Sequence, residues 1–277
     1  MQNKVVVITG ASDGIGAIAA AELVKKGATV VIVGRSPEKT KRVGEALSVP
    51  YYVVDFSKLS EVRILAENLK QQYPKIDILI NNAGGSFGKR ELTEDGIEKN
   101  LQVNHVAPFL LTNLLMDTLI ASQATVVNTS SVASRALGKI DLGDLNLEKS
   151  FSAFHAYGNG KLGNVLFTKE LQRRFGDKGI HAVAVHPGNV ATNFANEGNV
   201  ISKLMYHTFL NKLVLISPQK GAEPLIWLAT SKPGIDWELG GYYERFKPGK
   251  LNPQATDVKF LSDFWEATIA LIKKSIK

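Results

Sequence analysis

Two residues whose side chains could transfer a proton lie four positions apart, Tyr157 and Lys161. They open a segment in which Leu162, Val165 and Leu166 recur at helical spacing, so both side chains lie on one face of a predicted helix. A phenol has a pKa of about 10. An ammonium some 4 Å away, at an effective dielectric constant of about 20, favours the phenolate by roughly 4 kcal/mol, which is about three pKa units. Such a phenol can exchange protons near pH 7, although a lone pair of this kind is more often two surface residues.

The strongest local pattern lies near the N-terminus, at Lys4 to Gly16, KVVVITGASDGIG. An apolar run typical of a strand buried on both faces is followed at once by a glycine-rich turn and then by helical spacing. In this context Gly10 lets the turn close, Gly14 lets a pyrophosphate approach the backbone, and Gly16 lets helix and strand pack closely. The helix N-terminus then favours phosphate charge. The alternative is a glycine-rich turn without a ligand. The predicted nucleotide site also includes Ser12, Asp13 and Ile15.

The end of the next predicted strand, 28–33, could select the nucleotide. An acidic residue there would hold a ribose 2′-hydroxyl, whereas Arg35 can pair a 2′-phosphate through two hydrogen bonds. The sequence therefore favours NADP(H) over NAD(H). Asp13 would repel a nearby phosphate, and Arg35 could instead be a solvated turn residue.

A third predicted strand, 51–54, ends at Asp55. Its carboxylate could accept a hydrogen bond from an adenine amino group, or residues 55–57 could simply cap the following helix. Both interpretations are compatible.

The rest of the chain alternates strands with helices, and no linker, repeat or low-complexity tract interrupts it. This alternation predicts one α/β domain over 1–277, a three-layer, doubly wound Rossmann-type fold with a mostly parallel sheet of about seven strands. Residues 96–119 predict one long helix or two abutting helices, interrupted around Pro108, and residues 134–154 predict a loop insertion. Further strands are predicted at 76–80, 124–128 and 181–185.

Composition limits the partners. The chain has 33 Lys and Arg against 26 Asp and Glu, for a net charge of +7, but the basic residues are scattered and do not predict nucleic-acid binding. No cysteine is present, which excludes disulfides and thiolate metal sites and fits a reducing compartment. No apolar run approaches the roughly 20 residues that span a bilayer, and the histidines show no metal-ligand spacing. The first strand is predicted to begin near Lys4, so we expect no signal peptide. We expect a cytoplasmic protein without a metal, nucleic acid or stable membrane insertion.

The ordered set of motifs resembles the short-chain dehydrogenase/reductase family. The segment 157–175 and the later Gly240-Gly241-Tyr242-Tyr243 are most similar to its retinol dehydrogenase branch, which carries a similar insertion between Ser131 and Tyr157. The matching motifs are Thr9-Gly10-(x3)-Gly14-x-Gly16, Asn81-Asn82-Ala83-Gly84, Asn104, Ser131, Tyr157-x-x-x-Lys161 and Pro187-Gly188.

The resemblance implies hydride transfer between a nicotinamide and a carbonyl carbon, with Tyr157 as the acid and base. Lys161 would lower the pKa of Tyr157 and bind the nicotinamide ribose, and Ser131 would hold and polarise the carbonyl oxygen. Asn104 would position a water that passes protons to Lys161. Taken alone, Ser131 would be a helix cap and Asn104 a satisfied helix polar group. Ser130 is the rival serine.

The resemblance also implies a small apolar ketone, aldehyde or alcohol as substrate, and a homodimer or homotetramer. A substrate lid is expected at about 194–217 and a C-terminal segment at about 240–277. The lid could be an apolar substrate wall, an ordinary packed helix or a membrane-surface helix. The implied cofactor contacts, besides the glycine turn, Tyr157 and Lys161, are Arg35, Asp55, Asn82, Ala83, Gly84, Pro187, Gly188, Val190 and Thr192.

Two other functions stay open at this point. The first is a catalytically inactive NADP-binding sensor or scaffold on the same fold, which the complete set of four catalytic residues disfavours. The second is a sugar-nucleotide epimerase or dehydratase, which the glycine spacing and the short chain after Pro187 disfavour.

Overall fold

The computed structural model describes residues 1–190 and 216–275. The strands are β1 Val5–Thr9, β2 Thr29–Gly34, β3 Tyr51–Val53, β4 Ile78–Asn81, β5 Thr125–Thr129, β6 His181–His186, β7 Tyr242–Glu244 and β8 Lys247–Pro248. The helices are α1 Gly14–Lys25, α2 Pro37–Leu47, α3 Leu59–Gln72, α4 Lys99–Leu101, α5 Ala107–Leu114, α6 Met116–Ala121, α7 Ala133–Ala136, α8 Ala153–Phe175, α9 Pro218–Thr230 and α10 Val258–Lys274.

The strands form one sheet in the order β3-β2-β1-β4-β5-β6-β7-β8. Every neighbouring pair is parallel except β7 and β8, which are antiparallel. Strand order reverses between β1 and β4, which lie side by side although five helices and strands, α1 to α3 with β2 and β3, separate them along the chain. In an open parallel sheet, this point at the carboxyl ends of the strands is where ligands bind.

Helices cover both faces of the sheet because the strand residues alternate between two cores. Val7 and Leu79 point to one face, where they pack with α3, α5, α8 and α10. Their neighbours Val6 and Ile80 point to the other face, where they pack with α1 and α9. Both faces are therefore apolar, which explains the unbroken apolar runs of the strands. The predicted three-layer Rossmann-type fold is confirmed, with eight strands where about seven were expected.

Two local predictions needed correction. The helix predicted over 96–119 begins at Lys99 and turns through a π-helical segment at Gln102–Val106. The interruption predicted around Pro108 is the change from this segment to α5, in which Pro108 is the second residue, and a second division, not predicted, lies at Leu115. Residues 55–57 do not cap the next helix, because α3 begins at Leu59, whose amide donates to Asp95.

The insertion at 134–154 is largely irregular, as predicted, apart from the ends of α7 and α8. None of the helices within the described ranges is long and apolar enough to cross a membrane.

Candidate active site

A cleft of about 370 Å³ lies at the carboxyl edge of the sheet, over the β1–β4 switch point. It gathers residues from the carboxyl ends of β1 to β6 and from α8, and most of the residues predicted from the sequence lie on its wall. Those that line it are Gly10, Ser12, Asp13, Gly14, Ile15, Gly16, Arg35, Asp55, Asn82, Ala83, Gly84, Ser131, Tyr157, Lys161, Pro187, Gly188 and Val190. Thr192 and nearly all of the predicted lid lie outside the described residues.

Gly10 and Gly16 of the glycine-rich turn lie where the surrounding backbone leaves no room for a side chain. Gly10 has a φ of +66°, and a Cβ on it would lie 2.7 Å from the Ala83 Cα. A Cβ on Gly16 would lie 2.3 Å from the Gly10 carbonyl oxygen. The turn, α1 and the end of β4 therefore pack at backbone distance.

The ends of β1 and β4 are joined by side-chain hydrogen bonds. The amides of Asn82 and Ala83 both donate to the Thr9 Oγ1, each at 3.0 Å. The Asn82 Nδ2 donates to the carbonyl oxygens of Thr9 and Gly10, each at 3.1 Å. Asn82 therefore holds the floor of the cleft together. The hydrogen bonds of Thr9 join residues 73 and 74 positions apart, so no spacing in the sequence predicts them.

Charged side chains surround the N-terminus of α1. The Asp13 carboxylate accepts from the Gly14 amide at 2.7 Å and pairs with the Lys39 Nζ at 2.9 Å. Arg35 and Lys39 both line this end of the cleft. Sequence reasoning missed Lys39, although its place on the first turn of α2, four residues after Arg35, was an available signal.

Lys161 is buried at the other end of the cleft, with 3% of its surface exposed. Its Nζ donates to the carbonyl oxygen of Thr129, the last residue of β5, at 3.3 Å. Burial lowers the pKa of Lys161 to about 8, because a charged amine loses its hydration there. His186, which also lines the cleft, has a pKa lowered to about 4 by burial and by the charge of Lys161, so its imidazole is neutral at pH 7.

Tyr157 stands one turn before Lys161 on α8, and the Lys161 Nζ lies 5.8 Å from the centre of its ring. The two serines differ in their contacts. The Ser130 hydroxyl donates to the carbonyl oxygen of Lys161 at 2.8 Å and is buried. The Ser131 Oγ accepts from the Ala133 amide at 3.2 Å, which leaves its hydroxyl hydrogen available for a ligand in the cleft.

Asn104 is fully buried within the π-helical turn and lies behind the cleft wall. Its Oδ1 accepts from the Gly85 amide at 3.1 Å, and its Nδ2 donates to the carbonyl oxygens of Gly85 and Asn100, each at 2.8 Å. A Cβ on Gly84 would lie 2.5 Å from the Asn104 Oδ1 and 2.9 Å from the Lys161 Nζ. Both polar atoms therefore face the same small space at Gly84.

The remaining predicted contacts lie at the edges of the cleft. The Asp55 carboxylate accepts from the Ser57 amide at 2.9 Å in the turn before α3. Gly188 has a φ of +104° and follows Pro187 at the end of β6. Val190 forms an isolated bridge with Ile216, where the described chain resumes.

The shape and chemistry of the cleft fit a nicotinamide dinucleotide. The first amides of a helix have no intrahelical acceptor, and α1 directs them to the cleft beside glycines that leave the backbone accessible. Arg35 and Lys39 supply positive charge at one end. At the other end, the space at Gly84 is bordered by an amide oxygen and an ammonium, both of which can bind hydroxyl groups.

The comparisons with known proteins agree with this geometry. A sequence profile described as short chain dehydrogenase matches residues 4–200. A protein of Streptomyces sp. (strain C5), named as a daunorubicin C-13 ketoreductase, is 35% identical, over 98% of this chain and 93% of that protein. Human retinol dehydrogenase 13 is 35% identical, over 97% of this chain and 84% of its own length.

A solved structure shares the fold. The 3-ketoacyl-(acyl-carrier-protein) reductase of Brucella melitensis, determined with NADH, superposes with a TM-score of 0.68 at 23% identity, covering 88% of this chain and 96% of that one. The chain belongs to the short-chain dehydrogenase/reductase family, whose members bind a nicotinamide cofactor. It is an oxidoreductase that acts on alcohol and carbonyl groups.

Proposed function

We propose that this protein is an NADP(H)-dependent reductase or dehydrogenase that interconverts a carbonyl and an alcohol on an apolar small molecule. The observation that carries the proposal is the convergence of Ser131, Tyr157 and Lys161 on one end of a cleft whose other end holds Arg35 and Lys39. A cytoplasmic location and a homodimeric or homotetrameric assembly stay predictions from the sequence.

In the proposed reaction the bound nicotinamide supplies or accepts the hydride. The Tyr157 hydroxyl donates a proton to the carbonyl oxygen during reduction and takes it back during oxidation. Lys161, protonated below its pKa of about 8, stabilises the phenolate that remains and holds the nicotinamide ribose. The Ser131 hydroxyl donates to the substrate oxygen. Ser130 is not assigned this role, because its hydrogen is committed to the Lys161 carbonyl.

The role of Asn104 is proposed in two parts. Its amide fixes the backbone of Gly85, and its Oδ1 has a second lone pair on the side where Lys161 lies. That lone pair could hold a water between Asn104 and Lys161 through which protons reach solvent. Asn104 therefore supports the catalytic end without contacting the substrate.

The cofactor preference rests on charge. Arg35 lies beyond β2, where a carboxylate would favour NAD(H), and Lys39 adds a second cation to the same wall. The Asp13 carboxylate opposes them, but its ion pair with Lys39 reduces its net repulsion of a phosphate. We therefore expect NADPH to bind more tightly than NADH by a modest factor.

The substrate class is proposed from relatives and from the cleft wall. Two relatives are named as a daunorubicin C-13 ketoreductase and as a retinol dehydrogenase, names that point to a ketone and an alcohol. Phe87, Val103 and Leu137 give the wall near Tyr157 and Lys161 an apolar surface. An apolar ketone or aldehyde suits both observations.

The test assays a panel of ketones, aldehydes and alcohols with the wild type and with Arg35→Ala. Turnover is measured by the change in absorbance of NADPH or NADH. We expect the wild type to oxidise NADPH. In Arg35→Ala the dissociation constant of NADPH should rise about tenfold and that of NADH should not change, because a charged hydrogen bond to the 2′-phosphate is lost. No oxidation of either cofactor with any carbonyl would contradict the enzymatic proposal. Equal losses for the two cofactors would contradict the NADP preference.

A further inference from the structure

The loop that follows β4 carries an aromatic side chain into the cleft. Phe87 lines the cleft and is partly exposed, and a Cβ on Gly85 would lie 3.0 Å from its ring. The adjacent Gly84 lies against the Lys161 Nζ. Phe87 is therefore at the end of the cleft where the proposed chemistry takes place, and glycine leaves the edge of its ring uncovered.

Two asparagine side chains hold this loop through paired hydrogen bonds to its backbone. The Phe87 amide donates to the Asn100 Oδ1 at 2.9 Å, and the Asn100 Nδ2 donates back to the Phe87 carbonyl oxygen at 3.1 Å. Asn104 makes the same pair of contacts with Gly85. Because Asn100 and Asn104 are four residues apart on one helical face, both side-chain amides reach the backbone of the same loop. We call this arrangement the double amide clamp.

The clamp is itself firmly held. Asn100 is fully buried, and the Glu98 carboxylate accepts from both its backbone amide, at 3.0 Å, and its Nδ2, at 2.8 Å. Both hydrogens of the Asn100 side-chain amide are thus bound, so a buried network holds the backbone of Phe87 and with it the base of its side chain.

The Phe87 ring lies between the Lys99 ammonium and apolar residues of the cleft. The Lys99 Nζ lies 5.1 Å from the centre of the Phe87 ring and pairs with Glu91 at 2.8 Å. On the cleft side, Val103 and Leu137 line the same cavity. The Phe87 ring, with the Lys99 ammonium on one side and the apolar cleft on the other, is suited to stacking with a second aromatic ring.

We propose that Phe87 is the aromatic wall of the substrate site, that the substrate carries an aromatic ring next to its reacting carbonyl, and that Asn100 is the positioning residue for this wall. The inference rests on the proposed function, since it concerns the substrate of the same site. Aromatic pairing beyond simple area burial corresponds to a preference of about two- to tenfold.

The test compares two ketones that differ only in the aromaticity of one ring, 1-phenyl-1-propanone and 1-cyclohexyl-1-propanone. In Phe87→Leu the ratio of their kcat/KM values, aryl over cyclohexyl, should fall about fivefold relative to the wild type. Phe87→Tyr should keep the wild-type ratio, because it keeps the ring. The matched control is Phe175→Leu: Phe175 is also partly exposed, with the Lys178 Nζ 5.3 Å from its ring centre, but it lies outside the cleft and the ratio should not change.

A second variant tests the positioning residue. Asn100→Ala removes both hydrogen bonds to Phe87, so the aryl-to-cyclohexyl ratio should fall as in Phe87→Leu while the dissociation constant of NADPH stays within about twofold. A ratio unchanged in Phe87→Leu would overturn the inference. If Asn100→Ala does not fold, the Phe87 variants decide the question on their own.

Failure of the proposed function has a different signature. If the wild type reduces neither ketone with NADPH or NADH, calorimetric binding of the two ketones to the protein loaded with NADP⁺ replaces turnover. Tighter binding of the aryl ketone, lost in Phe87→Leu and kept in Phe87→Tyr, would support the aromatic wall without catalysis. Equal affinities, or no binding of either ketone, would overturn it.

Discussion

The two ends of the cleft differ in how far their polar and charged side chains are exposed to solvent. The proposed function assigns the adenosine to the end lined by Arg35 and Lys39, which we call the adenosine end. There the side chains of Asp13 and Lys39 are 47% and 40% exposed, and they form an ion pair. The proposed function assigns the nicotinamide to the end lined by Tyr157 and Lys161, which we call the nicotinamide end. There Lys161 is 3% exposed and Asn104 is fully buried, and both are held by hydrogen bonds to backbone carbonyls. One end uses screened surface charge, and the other uses desolvated groups in fixed places.

This difference has a physical consequence for substitutions. Exposed charges interact weakly and are screened by salt, so changes at the adenosine end should alter cofactor affinity in small steps. Buried groups influence one another strongly and are costly to leave unpaired, so changes at the nicotinamide end should alter rate, pKa values and stability together.

The largest effect is expected from Lys161→Met. Turnover should fall by roughly 10³-fold, because the phenol loses the cation that favours its phenolate. The variant should nevertheless be more stable without cofactor, by about 1–3 kcal/mol at pH 7, because burial lowers the pKa of Lys161 from 10.5 to about 8 and the ammonium is therefore destabilising in the folded state.

The pH dependence of that gain has a definite sign. Between pH 8 and pH 10.5 the unfolded wild type binds more protons at Lys161 than the folded one, so wild-type stability rises with pH there relative to the variant. The stability advantage of Lys161→Met should be full below pH 8 and shrink above it. Urea unfolding from pH 7 to pH 9.5 measures this, and a less stable variant at pH 7 would contradict the account of Lys161.

A smaller effect is expected from Gly84→Ala. Its Cβ would lie 2.5 Å from the Asn104 Oδ1 and 2.9 Å from the Lys161 Nζ, so both must move. Displacement of catalytic groups by about 1 Å corresponds to roughly a hundredfold loss of kcat/KM. Gly143→Ala is the control, because its Cβ would meet only the Asp141 Oδ1, at 3.3 Å, on the exposed insertion. Equal activities of the two variants would show that the nicotinamide end tolerates displacement.

The smallest effect is expected from Asp13→Asn at the adenosine end. Asparagine can still cap α1, and the loss of the carboxylate removes repulsion of the phosphates, so the dissociation constant of NADPH should fall about threefold at low salt. Thermal stability should stay within about 2 °C. Glu45→Gln, at the far end of α2, is the control. Weaker NADPH binding in Asp13→Asn would mean that its carboxylate assists the cofactor.

Much of the fold could be predicted, because its determinants are local. The apolar residues of Val5–Thr9 indicate a strand that is buried on both faces. Gly10 and Gly16 indicate positions where two backbones pack without room for a side chain. In both cases the residue type at each position carries the information. The ordered motifs then indicated the family. The positions of Tyr157 and Lys161 on one wall followed from helical spacing alone.

What could not be predicted depends on residues far apart in the chain. The prediction that residues 55–57 cap α3 was wrong, because the amide of Leu59, its first residue, donates to Asp95, 36 residues away in the chain. Lys39 pairs with Asp13 across 26 residues, and no periodicity indicates such a contact. The π-helical turn at Gln102–Val106 also escaped prediction, since its residue types fit an ordinary helix.

The central claim is that Tyr157 exchanges the proton, and single-turnover kinetics of Tyr157→Phe test it most directly. With the protein loaded with NADPH and mixed with a ketone that the wild type reduces, the variant's rate of NADPH oxidation should fall by roughly 10³-fold, with the NADPH dissociation constant unchanged within about twofold. A variant that keeps more than about a tenth of the wild-type rate would contradict the claim, since acid–base catalysis by a side chain contributes about 10²-fold or more.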